Sequence, residues 1–176
     1  MKILLTSLLL LFYSCVYALS VDNSNAWQMI SQHNDPYEFN TVRYGLGITN
    51  ASKKKKYGFI YGEHHWQSLY IMQYFMPFSG IAIDTAQNLF FYTGLKAQAR
   101  YNQQFIAGLS FAPTLYKRGH KKDLGNTVQF RSALEFSYQF ENKTQIGLEL
   151  LHFSNGGLSN LNPGSEALSL TYTIPY

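Results

Sequence analysis

A chain of 176 residues is one domain's worth of sequence. Only 14% of it is charged, against roughly 25% in an ordinary soluble domain, and a formal net charge of +4 is too mild to argue for a nucleic-acid partner. Low charge together with 14 Tyr and 13 Phe, and no long apolar run beyond the first residues, suits a membrane β-barrel whose interfaces carry aromatic girdles.

The first element in chain order is MKILLTSLLLLFYSCVYALS, with one lysine, an apolar core from Ile3 to about Tyr13 and small residues near Ala18 and Ser20. It reads as a secretory signal and is short of the roughly 20 residues a spanning helix needs. Residues 1–20 are therefore set apart from the fold. Phe12-Tyr13-Ser14 is a poor lead-in to a lipid anchor at Cys15, and that cysteine, the only one in the chain, leaves with the signal. Disulfides and thiolate chemistry are excluded from the remainder.

Residues 21–39 lack sustained periodicity and are expected to form an N-terminal lead, with a short helical turn at most. From residue 40 to 176, segments with alternating character follow one another between turn signals. Thr41–Thr49 puts Val42, Tyr44, Leu46 and Ile48 on one face and Arg43 with glycines on the other. Tyr57–Glu63 and Trp66–Met76 are apolar but alternate poorly. Leu89–Ala99, Gln103–Leu115, Val128–Phe140, Lys143–Phe153 and Glu166–Tyr176 complete a count of eight strands. Val128–Phe140 is the clearest, and its polar face brings Arg131 and Glu135 to where they can pair inside a narrow barrel.

The expected fold is thus all-β: an eight-stranded antiparallel transmembrane barrel of the bacterial outer membrane, with both termini on the periplasmic side. Eight strands leave an interior just wide enough to be filled by side chains, which argues against a transport pore. Loops 50–56, 77–88, 116–126 and 154–165 then face outside. Two basic clusters lie in them: Lys53, Lys54, Lys55 and Lys56, and Lys117, Arg118, His120, Lys121 and Lys122. They are either solvated loop charge or a hold on the anionic phosphates of lipopolysaccharide.

Near the C-terminus three polar residues fall on the apolar phase. Ile146, Leu148 and Leu150 share a face, and the same count reaches His152 and Ser154. On the last strand, counting back from Leu168, Leu170 and Tyr172 reaches Glu166. All three then project toward lipid near the outside ends of neighbouring strands, where polar groups are costly unless they satisfy one another. His152 and Ser154 would stand roughly 6.5–7 Å apart between Cα atoms. A Ser–His–carboxylate chain is also the apparatus of serine hydrolysis, and Asn155-Gly156-Gly157 allows backbone N–H groups to converge as an oxyanion hole requires. On periodicity alone, a histidine and a serine near a strand end are more often interfacial polar residues than catalysts.

HFSNGG followed by NPGSE resembles the outer-membrane lipid A deacylase family of the PagL type, the acyloxyacyl hydrolases, which carries His-x-Ser-Asn-Ala/Gly-Gly and an Asn-Pro-Gly with a Glu two residues on. The likeness runs from about Leu115 to the C-terminus and includes DLGNTVQFRS. It implies an esterase that removes an ester-linked 3-hydroxyacyl chain, at the 3-position, from lipid A in the outer leaflet. Ser154 is then the nucleophile, His152 the general base and Glu166 the orienting acid, with Asn155 and Gly157 supplying the oxyanion hole. Gly156 stands where the family often has Ala.

No cofactor or metal is expected. His64 and His65 with Glu63 find no further ligand at a telling spacing, and there is no phosphate loop or dinucleotide fingerprint. The implied partners are lipopolysaccharide and the outer membrane, with a homodimer left open by the sequence. The rival reading is a non-enzymatic barrel (an adhesin, assembly factor or structural anchor) whose outside loops carry the function.

Overall fold

The computed structural model describes residues 26–30, 40–67 and 73–176. The signal sequence expected over residues 1–20, and most of the lead expected over 21–39, lie outside the described residues.

A two-residue strand, β1 (Gln28–Met29), precedes β2 (Thr41–Thr49), β3 (Tyr57–His65), β4 (Met76–Asp84), β5 (Leu89–Tyr101), β6 (Phe105–Lys117), β7 (Val128–Gln139), β8 (Gln145–Ser154) and β9 (Ser165–Pro175). Every neighbouring pair is antiparallel. The pairing β2–β9 joins the first long strand to the last, so β2 to β9 close into an eight-stranded barrel. β1 lies outside that ring and solves a local problem. β5 continues past Lys96, where its pairing with β4 stops, and β1 takes the vacant edge, with Gln28 opposite Arg100 and Met29 opposite Ala99. The Ile30 N–H extends the pairing to the Gln98 carbonyl at 2.9 Å. An unpaired strand edge in lipid is among the costliest features a barrel can have.

The alternation read from the sequence is the alternation of exposure. Leu46, Ile60, Ile81, Phe91, Phe111, Leu115, Phe136, Leu148, Leu150 and Leu170 stand outward and exposed. The inward phase carries an aromatic cluster, including Phe59, Phe78, Phe90 and Phe153, and a charged one. Ring contacts such as Phe90 to Phe153, 4.6 Å between centroids, fill the outer half of the lumen. Gly45 and Gly80 leave space for two tyrosines: a Cβ at either would lie 2.0 and 2.5 Å from ring carbons of Tyr61 and Tyr92. Those rings carry their hydroxyls to Glu149 and Glu63.

Arg131 and Glu135 do share the lumen, but they do not pair with each other. Four residues along a strand span roughly 13 Å, and each finds partners across the barrel instead. Arg131 Nη2 meets Glu63 at 2.8 Å and Glu149 at 2.9 Å, while Glu135 is held by Arg43 and Lys96. The lumen is a solid plug of paired charge and aromatic rings.

One strand departs from the sequence reading. Trp66–Met76 was the expected third barrel strand, with 77–88 as an outside loop. Residues 66–67 and 73–75 are not in strand, and the strand is Met76–Asp84, followed by a short turn. Pro77 disguises it, because proline in a run reads as a break. So do Gly80 and Ala82, inward residues kept small beneath the lumen rings. The other strands lie within about two residues of their expected bounds, the uncertainty inherent in strand ends.

Candidate active site

β8 and β9 are joined by an outside loop, residues 155–164, and their register fixes the site. His152 lies directly opposite Glu166, and Phe153 opposite Ser165. On the other side β7 sets Ser132 opposite His152 and Phe130 opposite Ser154. One row across the wall therefore reads Phe111, Ser132, His152, Glu166. Neighbours on β8 and β9 in the same phase, Leu150 and Leu168, are exposed, so this row borders the apolar belt on the outward face.

The side chains of His152 and Glu166 are 48% and 42% exposed, and His152 Nδ1 stands 3.8 Å from Glu166 Oε1. That distance is electrostatic contact rather than a formed hydrogen bond. Among the described residues the Ser154 hydroxyl has no hydrogen-bond partner, although Ser154 shares the outward phase with His152 two residues away. The structure brings the imidazole and the carboxylate together and leaves the hydroxyl beside them unengaged.

Asn155 behaves differently. It is the first residue after β8 and is completely buried. Its Nδ2 donates to the Leu161 carbonyl at 2.7 Å and the Leu124 carbonyl at 3.0 Å, tying the β8–β9 loop to the β6–β7 loop. The two backbone donors expected for an oxyanion hole are engaged by side-chain oxygens. The Asn155 N–H reaches Asn162 Oδ1 at 3.1 Å, and the Gly157 N–H reaches Asn155 Oδ1 at 2.9 Å. Gly156 and Gly157 have φ of 64° and 88°, and a Cβ on Gly156 would sit 3.0 Å from Phe130. Glycine rather than alanine at this position thus suits the turn.

Two further residues, one against the imidazole and one against the carboxylate, have no role in the sequence reading. Gly164, at φ 60°, passes so near the ring that a Cβ there would lie 3.2 Å from His152 Cε1. Its signal was already present in the NPG of the loop. Ser52, from the loop between β2 and β3, donates to Glu166 Oε2 at 2.9 Å. Nothing local in the sequence announces Ser52, because only the β2–β9 closure brings that loop here.

The two basic clusters lie on the same outer end. Lys53 Nζ donates to the Pro163 carbonyl at 3.3 Å, and Lys122 Nζ to Asn50 Oδ1. Lys54, Lys55, Lys56 and Lys121 are exposed. Lys122 is half-buried, and that burial, followed by repulsion from Lys53, pushes its ammonium down to about 8. At the opposite end Glu63 and His65 turn into the lumen at 3.0 Å from each other. His64 lies on the other face against Tyr176, so the three do not converge.

Residues 51–175 match the family model for lipid A 3-O-deacylase (PagL). Two curated relatives share parts of the sequence. The lipid A deacylase PagL of Pseudomonas aeruginosa is 33% identical over 69 residues, 39% of this chain and 40% of that protein. Its counterpart from Bordetella bronchiseptica is 34% identical over 55 residues, 31% of each. The alignments thus span less than half of either relative's length. Among solved structures, the outer-membrane enzyme PagL superposes with a TM-score of 0.61 at 17% identity, over 77% of this chain and 99% of that one. Neisserial surface protein A superposes at 0.54 with 8% identity, over 78% and 96%; at such identities the likeness is one of fold. The barrel is an outer-membrane barrel, and the match over most of its length places the chain in the PagL family of lipid A 3-O-deacylases.

Proposed function

We propose that this barrel is a serine esterase of the outer leaflet that hydrolyses the ester-linked 3-hydroxyacyl chain at the 3-position of lipid A. The observation that carries the reading is the register of β8 and β9. It sets a carboxylate beside an imidazole, with a hydroxyl two residues on, at the membrane face where an acyl ester would lie. Membership of the family, and the names of its two curated relatives, supply the substrate class.

In this reading Glu166 favours the imidazole tautomer with its proton on Nδ1, which leaves Nε2 as the base. His152 takes the proton of Ser154 as Oγ attacks the ester carbonyl. The same proton then passes to the departing lipid A hydroxyl, leaving an acyl-serine that water cleaves. The gap of 3.8 Å between His152 and Glu166 closes as the ring gains charge. Backbone N–H groups of Asn155 and Gly157 are the proposed oxyanion donors; substrate oxygen must displace Asn162 Oδ1 from the first and Asn155 Oδ1 from the second. Lys53, Lys54, Lys55, Lys56, Lys121 and Lys122 crown the same end and would hold the lipid A phosphates.

The test is to express wild type and Ser154→Ala in an outer-membrane host without such an activity, and to weigh the lipid A. Wild type should remove the mass of one hydroxyacyl chain, and Ser154→Ala should leave the mass unchanged. Unaltered lipid A around a folded wild-type barrel would overturn the proposal in favour of a non-enzymatic barrel.

A further inference from the structure

Ser52 precedes Glu166 by 114 residues, yet its hydroxyl donates to Glu166 Oε2 at 2.9 Å. The other carboxylate oxygen, Oε1, is the one facing His152 Nδ1. Among the described residues no other side chain hydrogen-bonds that carboxylate. We infer that Ser52 is a positioning residue of the site, holding the rotation of the Glu166 carboxylate so that one oxygen stays aimed at the imidazole. The inference rests on the proposed roles of Ser154, His152 and Glu166.

The loop that carries Ser52 is built to deliver it. Asn50 adopts φ 56°, and its carbonyl accepts from the Lys53 N–H at 2.8 Å, closing a tight turn. From that turn the Ala51 N–H reaches the Glu166 carbonyl at 3.2 Å, and Lys53 Nζ reaches the Pro163 carbonyl at 3.3 Å. Backbone and carboxylate of Glu166 are thus gripped from one side, while His152 approaches from the other. A carboxylate 42% exposed rotates freely unless something holds it. The donor type matters as well. A hydroxyl orients the carboxylate without neutralising it, so its charge remains available to an imidazolium. A lysine on the same oxygen would compete with that imidazolium, and the neighbouring Lys53 is turned to a carbonyl instead.

Steady-state deacylation by the purified barrel in detergent, with lipopolysaccharide as substrate, separates the possibilities. Ser52→Ala should lower kcat about tenfold, the worth of a hydrogen bond to a charged group, with KM within about twofold of wild type. Ser52→Thr, which keeps the hydroxyl, should restore kcat to within about threefold. In a Glu166→Gln background Ser52→Ala should cost nothing more, because its effect runs through that carboxylate. Heat-dependent gel mobility confirms that each variant is a folded barrel.

A wild-type kcat in Ser52→Ala would overturn the inference. So would an effect confined to KM, or one of equal size in the Glu166→Gln background. If Ser154→Ala is as active as wild type, the catalytic reading itself falls and takes the Ser52 role with it. Loss of activity in Ser154→Ala and Glu166→Gln, with Ser52→Ala unaffected, removes the Ser52 role alone.

Discussion

The barrel wall carries carboxylates beside bases both in its lumen and on its outer face, and they are treated in opposite ways. In the lumen, Arg43, Glu63, Lys96, Arg131, Glu135 and Glu149 are at most 3% exposed, and each charge meets at least one opposite charge across the wall. On the outer face, His152 and Glu166 are half-exposed and stand 3.8 Å apart, and the hydroxyl of Ser154, two residues from His152, has no hydrogen-bond partner among the described residues. A buried network of paired charges is rigid, and its charges have nowhere to go. A loosely spaced set at the apolar boundary leaves hydrogen-bonding capacity for a substrate. Glutamate therefore serves the barrel's cohesion in the lumen and, in the proposed reading, its chemistry on the outer face.

If this contrast is right, removing a carboxylate should have opposite consequences in the two regions. Glu166→Gln should lower kcat by about three to four orders of magnitude, as expected when a histidine loses its orienting carboxylate. The urea midpoint of the barrel in vesicles should stay near wild type. Glu135→Ala should do the reverse. It leaves Arg43 and Lys96 buried without their shared partner, at a cost of about 3–5 kcal/mol, and deacylation per folded barrel should hardly change. Equilibrium unfolding and activity, measured on the same preparations, would break the comparison if either variant behaved like the other.

Smaller changes sharpen it. Gly164→Ala forces a Cβ to within 3.2 Å of His152 Cε1 in a left-handed backbone conformation. Displacing the imidazole should lower kcat by about ten- to a hundredfold, with a modest loss of stability. The smallest effect concerns Lys122, pushed down to about 8 by burial and then by Lys53. It is cationic below that pH and neutral above it, so its pull on a phosphate fades as pH rises. KM should rise severalfold between about pH 7 and about pH 9, and Lys122→Gln should flatten that rise.

Most of the architecture was legible because barrel strands announce themselves by a period of two. That period also picks out the proposed site: His152, Ser154 and Glu166 are polar residues on an apolar phase, and their outward placement follows from counting. β4 escapes the count because Pro77 and the small inward residues Gly80 and Ala82 hide its alternation, though packing against Tyr92 requires Gly80 to be small. Partners in the lumen were equally hidden. Arg131 was expected to meet Glu135 four residues away, but strand geometry separates them and barrel closure supplies Glu63 and Glu149. Ser52 is the extreme case, since its contact with Glu166 exists only because the first long strand pairs with the last.

The central claim is that Ser154 on the outer face is a nucleophile activated by His152. Treating the folded barrel with a fluorophosphonate and locating the modified peptide by mass spectrometry tests it most directly. The adduct, formed as Oγ displaces fluoride, should fall on Ser154 and should vanish in His152→Ala while the barrel remains folded. An unmodified Ser154 in a barrel that still deacylates lipid A, or labelling undiminished in His152→Ala, would contradict it.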